Sequence, residues 1–266
     1  MTNSPHRLTQ LAAELPARYT TPLPHLARVR LLTGAHLDQL LTHPDTTHDT
    51  TARVRRRIMT RLHEVGLVTT LHRTIGGARA GSTGHIYTLT PAGHRFLATL
   101  TGQPSPPRTK RPSTPGVLFV AHTLAISDIY VRLIHASRNG HFMVPTFTTE
   151  SHCWQPTPDG DYLKPDAYLV LATSTHQDCW WLEIDQATES LPRIKHKCRA
   201  YLNFLTHSGQ GPDDVPPRVL YTTPDTPRTH AIHKTITKTS TQENDLLCVT
   251  THADAHTFLI NQLLTT

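Results

Sequence analysis

The sequence predicts a mixed α+β protein of two domains, in which a basic, largely helical N-terminal domain precedes an α/β domain. Residues 1–115 hold 15 Lys and Arg against 5 Asp and Glu, a net charge of +10, whereas the remainder holds 11 against 15, a net charge of −4. Residues 101–116 contain five prolines and three basic residues without apolar periodicity, which indicates a linker. We therefore expect domains at 1–100 and 117–266, each long enough to fold alone.

Caps and apolar spacing predict three helices in the N-terminal block, at residues 23–32, 34–41 and about 50–65. The third helix carries apolar residues at the spacing of one buried stripe, which comprises Val54, Ile58, Leu62 and Val65. Its polar residues are therefore expected on the opposite face.

A β-hairpin and a closing helix are predicted next. Short strands at 67–74 and 85–90 flank a Gly-rich, basic turn. Thr90 is a favourable N-cap and Pro91 suits the first helical position, so a helix is expected to begin there. Three helices, a hairpin and a helix, in this order, make up a winged helix-turn-helix domain.

Basic side chains concentrate on the third helix and the hairpin of this predicted domain. Residues 50–63 include no Asp or Glu. A helix fits the major groove of DNA, and Arg supplies both phosphate contacts and paired donors to guanine. The predicted DNA-binding residues are Arg53, Arg55, Arg56, Arg57, Thr60, Arg61, Arg73 and Arg79. The alternatives are a solvated charged face and a winged domain that serves protein dimerisation.

Several classes of protein are disfavoured. The sequence contains no run of roughly 20 uninterrupted apolar residues, and its N-terminus lacks the apolar core of a signal peptide, so we expect a cytoplasmic protein without a membrane partner. The four cysteines form no CxxC pair and the 20 histidines no HExxH motif. Neither a zinc site nor a disulfide framework is therefore indicated.

The C-terminal block predicts an α/β domain. A helix is expected at 117–137, followed by strands, and then by helices and strands in alternation. The later elements are strands at 142–150, 164–173 and 179–185, a helix from Ser190, a strand at 218–225, a helix at 226–239, a strand at 245–251 and a helix at 254–264.

Three carboxylates lie at the ends of neighbouring predicted strands. Asp166 begins one strand, and Glu183 and Asp185 end the next. Spacing of two residues along a strand directs Glu183 and Asp185 to the same face. Clustered carboxylates suit Mg²⁺, which orients water and stabilises a phosphoryl transition state. The alternative is that these residues are simply polar strand ends.

The strands that carry these carboxylates resemble the core of the PD-(D/E)xK nucleases. Pro165-Asp166 on one strand and Glu183-Ile184-Asp185 on the next stand in the order of that motif. The resemblance implies that Asp166 and Glu183 are metal ligands, with help from the Ile184 carbonyl. The chain departs from the motif at its third position, where Asp185 replaces the lysine.

In some members of that superfamily the lysine lies on the following helix, where this chain has Lys195 and Lys197. The catalytic set that the resemblance implies is Asp166, Glu183, Asp185 and Lys197, with Mg²⁺ as the cofactor. Whether such a domain cleaves DNA or only binds it is left open by the replaced lysine.

Motifs along most of the chain also resemble the actinobacterial replication-relaxation proteins, which are associated with plasmids and other mobile elements. The motifs are the basic winged helix, the proline linker, HTLAISDIYVRL, KPDAYLVL, WWLEIDQATESL and the helix with Lys195, Lys197 and Tyr201. The characteristic residues are seen here as His122, Asp128, Asp166, Glu183, Asp185, Thr188, Glu189, Lys197 and Tyr201. The resemblance implies a DNA-binding protein of replication or transfer with a nuclease-like domain.

Two other functions are compatible with the same residues. One is a Mg²⁺-dependent DNA endonuclease that the winged helix directs to its site, and the other is a transcriptional repressor that dimerises through its C-terminal domain. Double-stranded DNA is the expected partner in each case. A homodimer and contacts with replication or transfer proteins are left open.

Overall fold

The computed structural model describes residues 4–42, 48–74, 84–104, 115–157, 159–207, 211–239 and 246–265. The fold is a mixture of helices and sheets, as predicted, and it divides into two compact units, Met1–Ser127 and Asp128–Thr266. Residues 105–114 of the predicted linker and the tip of the predicted hairpin lie outside the described residues.

The first unit combines helices with a small antiparallel sheet. Its helices are α1 (Pro5–Glu14), α2 (Ala17–Thr20), α3 (Pro22–Val29), α4 (Gly34–Leu41), α5 (His48–Glu64) and α6 (Pro91–Thr101). Its strands are β1 (Leu32–Thr33), β2 (Val68–Thr74) and β3 (His85–Leu89), in the order β1-β3-β2. The predicted helices and hairpin are confirmed, but α3 is shorter than expected because Leu32 and Thr33 pair with β3 instead.

The start of α6 is fixed by contacts with the turn after α5. The Thr90 hydroxyl accepts a hydrogen bond from the Gly93 N–H at 3.0 Å and donates one to the Gly66 carbonyl at 2.6 Å. A Cβ atom at position 93 would lie 2.1 Å from the Leu67 carbonyl oxygen. Only glycine therefore allows α6 to approach this backbone so closely.

The helix α7 (Val117–Ser137) begins in the first unit and ends in the second. Val120 and Leu124 form a buried cluster with Leu31 and Ile86, and the Ser127 hydroxyl donates to the Leu31 carbonyl at 2.7 Å. The first unit therefore includes the start of α7, beyond the boundary that composition suggests. The predicted domain limits stay a prediction.

Among the described residues, α7 is also the one helix long and apolar enough to cross a membrane by length and composition. Half of its apolar window is buried inside the protein. A single such helix is weak evidence for a membrane span.

The second unit is built around a mixed five-stranded sheet in the order β10-β9-β8-β7-β4. The sheet strands are β4 (Met143–Thr149), β7 (Ala167–Ala172), β8 (Gln177–Ile184), β9 (Arg218–Thr223) and β10 (Leu247–Thr251), and a separate pair is formed by β5 (Gln155–Pro156) and β6 (Tyr162–Leu163). The helices are α8 (Leu191–His207), α9 (Thr226–Thr237) and α10 (Ala255–Thr265). β4, β7 and β8 are antiparallel, whereas β8, β9 and β10 are parallel.

Helices cover both faces of this sheet. Trp181 on β8 packs against Tyr201 and Phe204 of α8, in a core that also includes Ile232 of α9. On the other face Trp180 contacts Phe258 of α10, with ring centroids 5.9 Å apart. The second half of α7 lies on that face as well, since Tyr130 contacts Phe147 of β4. The unit is therefore a layer of strands between two layers of helices.

Candidate functional site

One face of α5 presents arginines to solvent. The exposed residues of this arginine face are Arg53, Arg56, Arg57, Thr60 and Arg61. The opposite face is buried and contains Thr51, Ile58, Met59 and Leu62. Arg61 forms an exposed ion pair with Glu64, at 3.4 Å between Nη1 and Oε2. The arginine face therefore offers four cationic side chains to a polyanion.

Arg55 does not belong to the arginine face. Its side chain is 1% exposed, and its Nε lies 3.2 Å from Oδ1 of Asp38 on α4. One residue advances a helix by about 100°, so position 55 falls beside Ile58 and Leu62 on the buried side. The prediction that Arg55 contacts DNA is therefore wrong in this structure. Val54, which was expected to be buried, is 39% exposed.

The two hairpin arginines are not described by the structure. Arg73 lies within β2, but its side chain is outside the described part of the chain. Arg79 lies outside the described residues altogether. Their role at the hairpin stays a prediction.

In the second unit, a polar cluster lies between the sheet and α8; we call it the Glu183 cluster and define it as Asp166, Glu183, Lys197 and Tyr201. Glu183 and Tyr201 are buried, whereas Asp166 and Lys197 are half-buried. Lys197 Nζ donates to Glu183 Oε2 at 2.8 Å, and the Tyr201 hydroxyl donates to Oε1 at 2.6 Å. Asp166 precedes β7, and its Oδ2 accepts from the Ile184 N–H at 2.7 Å. Lys197 and Tyr201 are four residues apart on α8, which brings both onto the face that covers the sheet.

Burial and charge shift the protonation of this cluster. Burial raises the pKa of Glu183 to about 7, and the nearby charge of Asp166 acts in the same direction, against the lowering effect of Lys197 and of the two hydrogen bonds. Burial lowers the pKa of Lys197, but the charge of Glu183 and the hydrogen bond to it outweigh that effect and raise it overall. Lys197 therefore stays protonated, and Glu183 titrates near neutral pH.

Asp185 contacts an arginine, although the sequence analysis grouped it with Asp166 and Glu183 in a metal site. Arg228 on α9 holds it through two contacts, Nε to Oδ2 at 2.6 Å and Nη2 to Oδ1 at 3.0 Å. The same Nη2 donates to the Glu189 carbonyl at 2.6 Å. Glu189 also lies 3.2 Å from Lys197 Nζ through its Oε1, so it connects the two ion pairs. Asp185 therefore does not form one set of ligands with Asp166 and Glu183.

The arrangement of these carboxylates does not fit a divalent cation as it stands. Mg²⁺ requires several oxygen ligands. Both Glu183 oxygens and one Asp166 oxygen already accept hydrogen bonds, and both Asp185 oxygens contact Arg228. Where the structure describes the chain, no group of three His, Cys, Asp or Glu is placed to hold a metal. The ammonium of Lys197 supplies the positive charge beside Glu183 instead.

Sequence reasoning missed Arg228 as a partner, and it identified Tyr201 only through the family resemblance. Arg228 is 43 residues from Asp185, and no local pattern connects the two. Tyr201 had a usable signal, since it follows Lys197 by one helical turn. Both residues satisfy buried carboxylates that would otherwise be costly to desolvate.

The Glu183 carboxyl is expected to make stability depend on pH. Its pKa is raised from 4.5 to about 7 in the folded chain, so the folded state binds more protons between these values than the unfolded state does. The contribution of Glu183 to the free energy of unfolding should therefore be largest at low pH. It should fall by on the order of 1–3 kcal/mol as pH rises through about 7.

Urea unfolding of the full chain across about pH 5 to 8 measures this effect. Glu183→Gln should flatten the pH dependence of the free energy of unfolding relative to the parent. Glu189→Gln, which removes a carboxylate from the solvent side of the same network, is the control and should retain the parental slope. An unchanged slope in Glu183→Gln would show that Glu183 does not titrate in this range.

No curated protein matches the chain. The replication-relaxation family model matches residues 23–219, which is most of the chain and includes both the arginine face and the Glu183 cluster. The chain therefore belongs to the replication-relaxation family.

Proposed function

We propose that this protein binds double-stranded DNA in the replication or transfer of a plasmid or other mobile element. The observation that carries the proposal is the arginine face of α5, where Arg53, Arg56, Arg57 and Arg61 are exposed on one side of a helix whose other side is buried. A helix of this kind fits the major groove, and its arginines contact phosphates and guanine edges. Membership of the replication-relaxation family supports the same role.

We propose further that the first unit is a winged helix-turn-helix domain. In support, α4 and α5 follow each other closely, and the antiparallel strands β2 and β3 come directly after α5. α5 is then the recognition helix, and the hairpin is the wing. The N-terminal end of a recognition helix commonly contacts the bases, which favours Arg53, Arg56 and Arg57 over Arg61.

For the second unit we propose a nuclease-like domain of the PD-(D/E)xK kind that binds DNA without cleaving it. The position of Asp166 beside Glu183 on neighbouring strands, with Lys197 on the next helix, supports the relationship. The ion pairs of Glu183 with Lys197 and of Asp185 with Arg228 support binding alone, since both carboxylates are already neutralised by side chains.

DNA binding by the full-length chain tests the main proposal. A labelled duplex should bind with an affinity that falls linearly with salt on a log–log plot, because each neutralised phosphate releases counterions. Absence of binding at low salt would remove the proposal.

We place the protein in the cytoplasm, and we include a homodimer and contacts with other replication or transfer proteins in the proposal. Light scattering of the free and DNA-bound protein tests the dimer.

A Mg²⁺-dependent endonuclease is the second candidate, and the pairing of Asp166 with Glu183 favours it. Asp166 Oδ2 accepts a hydrogen bond from the N–H of Ile184, the residue after Glu183, and the charge of Asp166 raises the pKa of Glu183, so the two carboxylates interact electrostatically. That function requires Lys197 to leave Glu183, because its ammonium contacts Glu183 Oε2 in this structure.

A binding domain and an endonuclease predict different effects of millimolar Mg²⁺ or Mn²⁺ on the melting temperature and on supercoiled plasmid. For a binding domain, the parental melting temperature should stay within about 1 °C, and supercoiled plasmid should stay intact. Lys197→Met should then gain a metal-dependent rise in melting temperature, because it removes the ammonium that contacts Glu183 Oε2. The triple change Asp166→Asn, Glu183→Gln and Lys197→Met is the control and should lose that rise. Plasmid cleavage by the parent would favour the endonuclease.

A further inference from the structure

The ion pair between Asp38 and Arg55 lies where three elements of the first unit meet. Asp38 is on α4 and Arg55 on α5, and their side chains are 11% and 1% exposed. Tyr87 of β3 is also buried, and the charges of both residues act on its hydroxyl: burial raises the pKa of Tyr87, while Arg55 lowers it and Asp38 raises it. One charged contact therefore connects α4 and α5, and its charges act on Tyr87 of the sheet.

Stability alone does not account for a charged pair at this position. Removing two charges from water is costly, and apolar side chains of similar volume often stabilise a core at least as well. The apolar side chains of the buried face of α5 are Ile58, Met59 and Leu62. Such apolar contacts are not directional, so they restrain the rotation of the helix about its axis weakly. A buried ion pair restrains it strongly, because the charges must meet at one position.

The rotation of α5 determines which arginines face outward. Each residue turns the helix by about 100°, so Arg53 and Arg57 lie on the side opposite Arg55, and Arg56 lies beside them. From this placement we infer that the Asp38–Arg55 ion pair is a positioning device, which holds α5 at the rotation that presents the arginine face to DNA. Neither residue touches DNA in this arrangement. The inference rests on the proposed DNA binding.

The test compares two variants of the full-length chain with the parent. Asp38→Leu combined with Arg55→Met replaces the ion pair by an apolar pair, and we expect it to stay folded with a melting temperature near or above that of the parent. Its affinity for duplex DNA should nevertheless fall about tenfold, and the salt dependence should become shallower because fewer phosphates are contacted. Arg55→Lys keeps the charge without the planar guanidinium and should lose about threefold in affinity.

Binding is measured well below each melting temperature, so that a purely structural role would leave both the affinity and the salt slope at parental values. That outcome in the folded double variant overturns the inference and leaves the proposed function intact. If the double variant fails to fold, Arg55→Lys decides: parental affinity and slope overturn the inference, and a loss with retained melting temperature supports it. A parent that does not bind duplex DNA overturns both proposals.

Discussion

Replacement of Arg53, Arg56 and Arg57 by alanine in the full-length chain is expected to weaken duplex DNA binding by about 3–6 kcal/mol, since a good base contact contributes about 1–3 kcal/mol and a phosphate contact less. The slope of log affinity against log salt should also fall, by about 0.9 for each phosphate that the variant no longer neutralises. All three side chains are exposed on α5, so the fold should tolerate the change. Fluorescence anisotropy at several salt concentrations gives both quantities.

A control must remove the same charge elsewhere. Arg7, Arg18 and Arg199 are also exposed but lie on α1, α2 and α8. Their replacement by alanine reduces the net charge equally, and it should change affinity by less than about 1 kcal/mol if binding is local to α5. Equal losses of affinity in the two triple variants would mean that overall charge, and not the arginine face, attracts the DNA.

The largest effect on stability is expected from Arg228→Met. Asp185 is 2% exposed at its side chain and Arg228 16%, and the two are joined by two hydrogen bonds. Loss of the guanidinium leaves a buried carboxylate without its partner and also removes the donor to the Glu189 carbonyl. We expect the free energy of unfolding to fall by about 3–5 kcal/mol, as when a buried ion pair loses one member.

Two further variants separate the ion pair from simple packing. Arg228→Lys retains the charge but not the planar arrangement of donors, and it should recover only part of the loss. Asp185→Leu combined with Arg228→Met removes both charges and should recover most of it, because no unpaired charge is left in the interior. If the single and double variants are equally unstable in urea, the loss comes from packing and the ion pair contributes little.

The ion pairs of Lys197 and Arg228 form one network in the second unit. Lys197 contacts Glu183 and Glu189, and Arg228 contacts Asp185 and the Glu189 carbonyl. The network connects β8 with α8 and α9, so the cationic side chains neutralise the carboxylates that the nuclease resemblance implies as part of the catalytic set. This is the physical basis for proposing a binding domain in preference to an endonuclease.

Local patterns were sufficient to predict most of the long elements. The predicted limits of α4 and α7 agree with the structure, and so does the use of Thr90 as the cap of α6. The helices α1 and α2 were missed, as were β1 and the β5–β6 pair. β1, β5 and β6 contain two residues each, too few for a periodicity, so they are defined by pairing with another part of the chain.

The sequence by itself determined the order of most of the longer elements, the opposite charges of the two halves, and the placement of Asp166 and Glu183 at the ends of neighbouring strands. Each of these follows from composition or from the alternation of side chains over a few residues. Only the tertiary structure decided that Arg55 is buried against Asp38 and that Asp185 binds Arg228. Partners distant in the chain are selected by how helices pack, and a helix of arginines does not show from its sequence which of them turns inward.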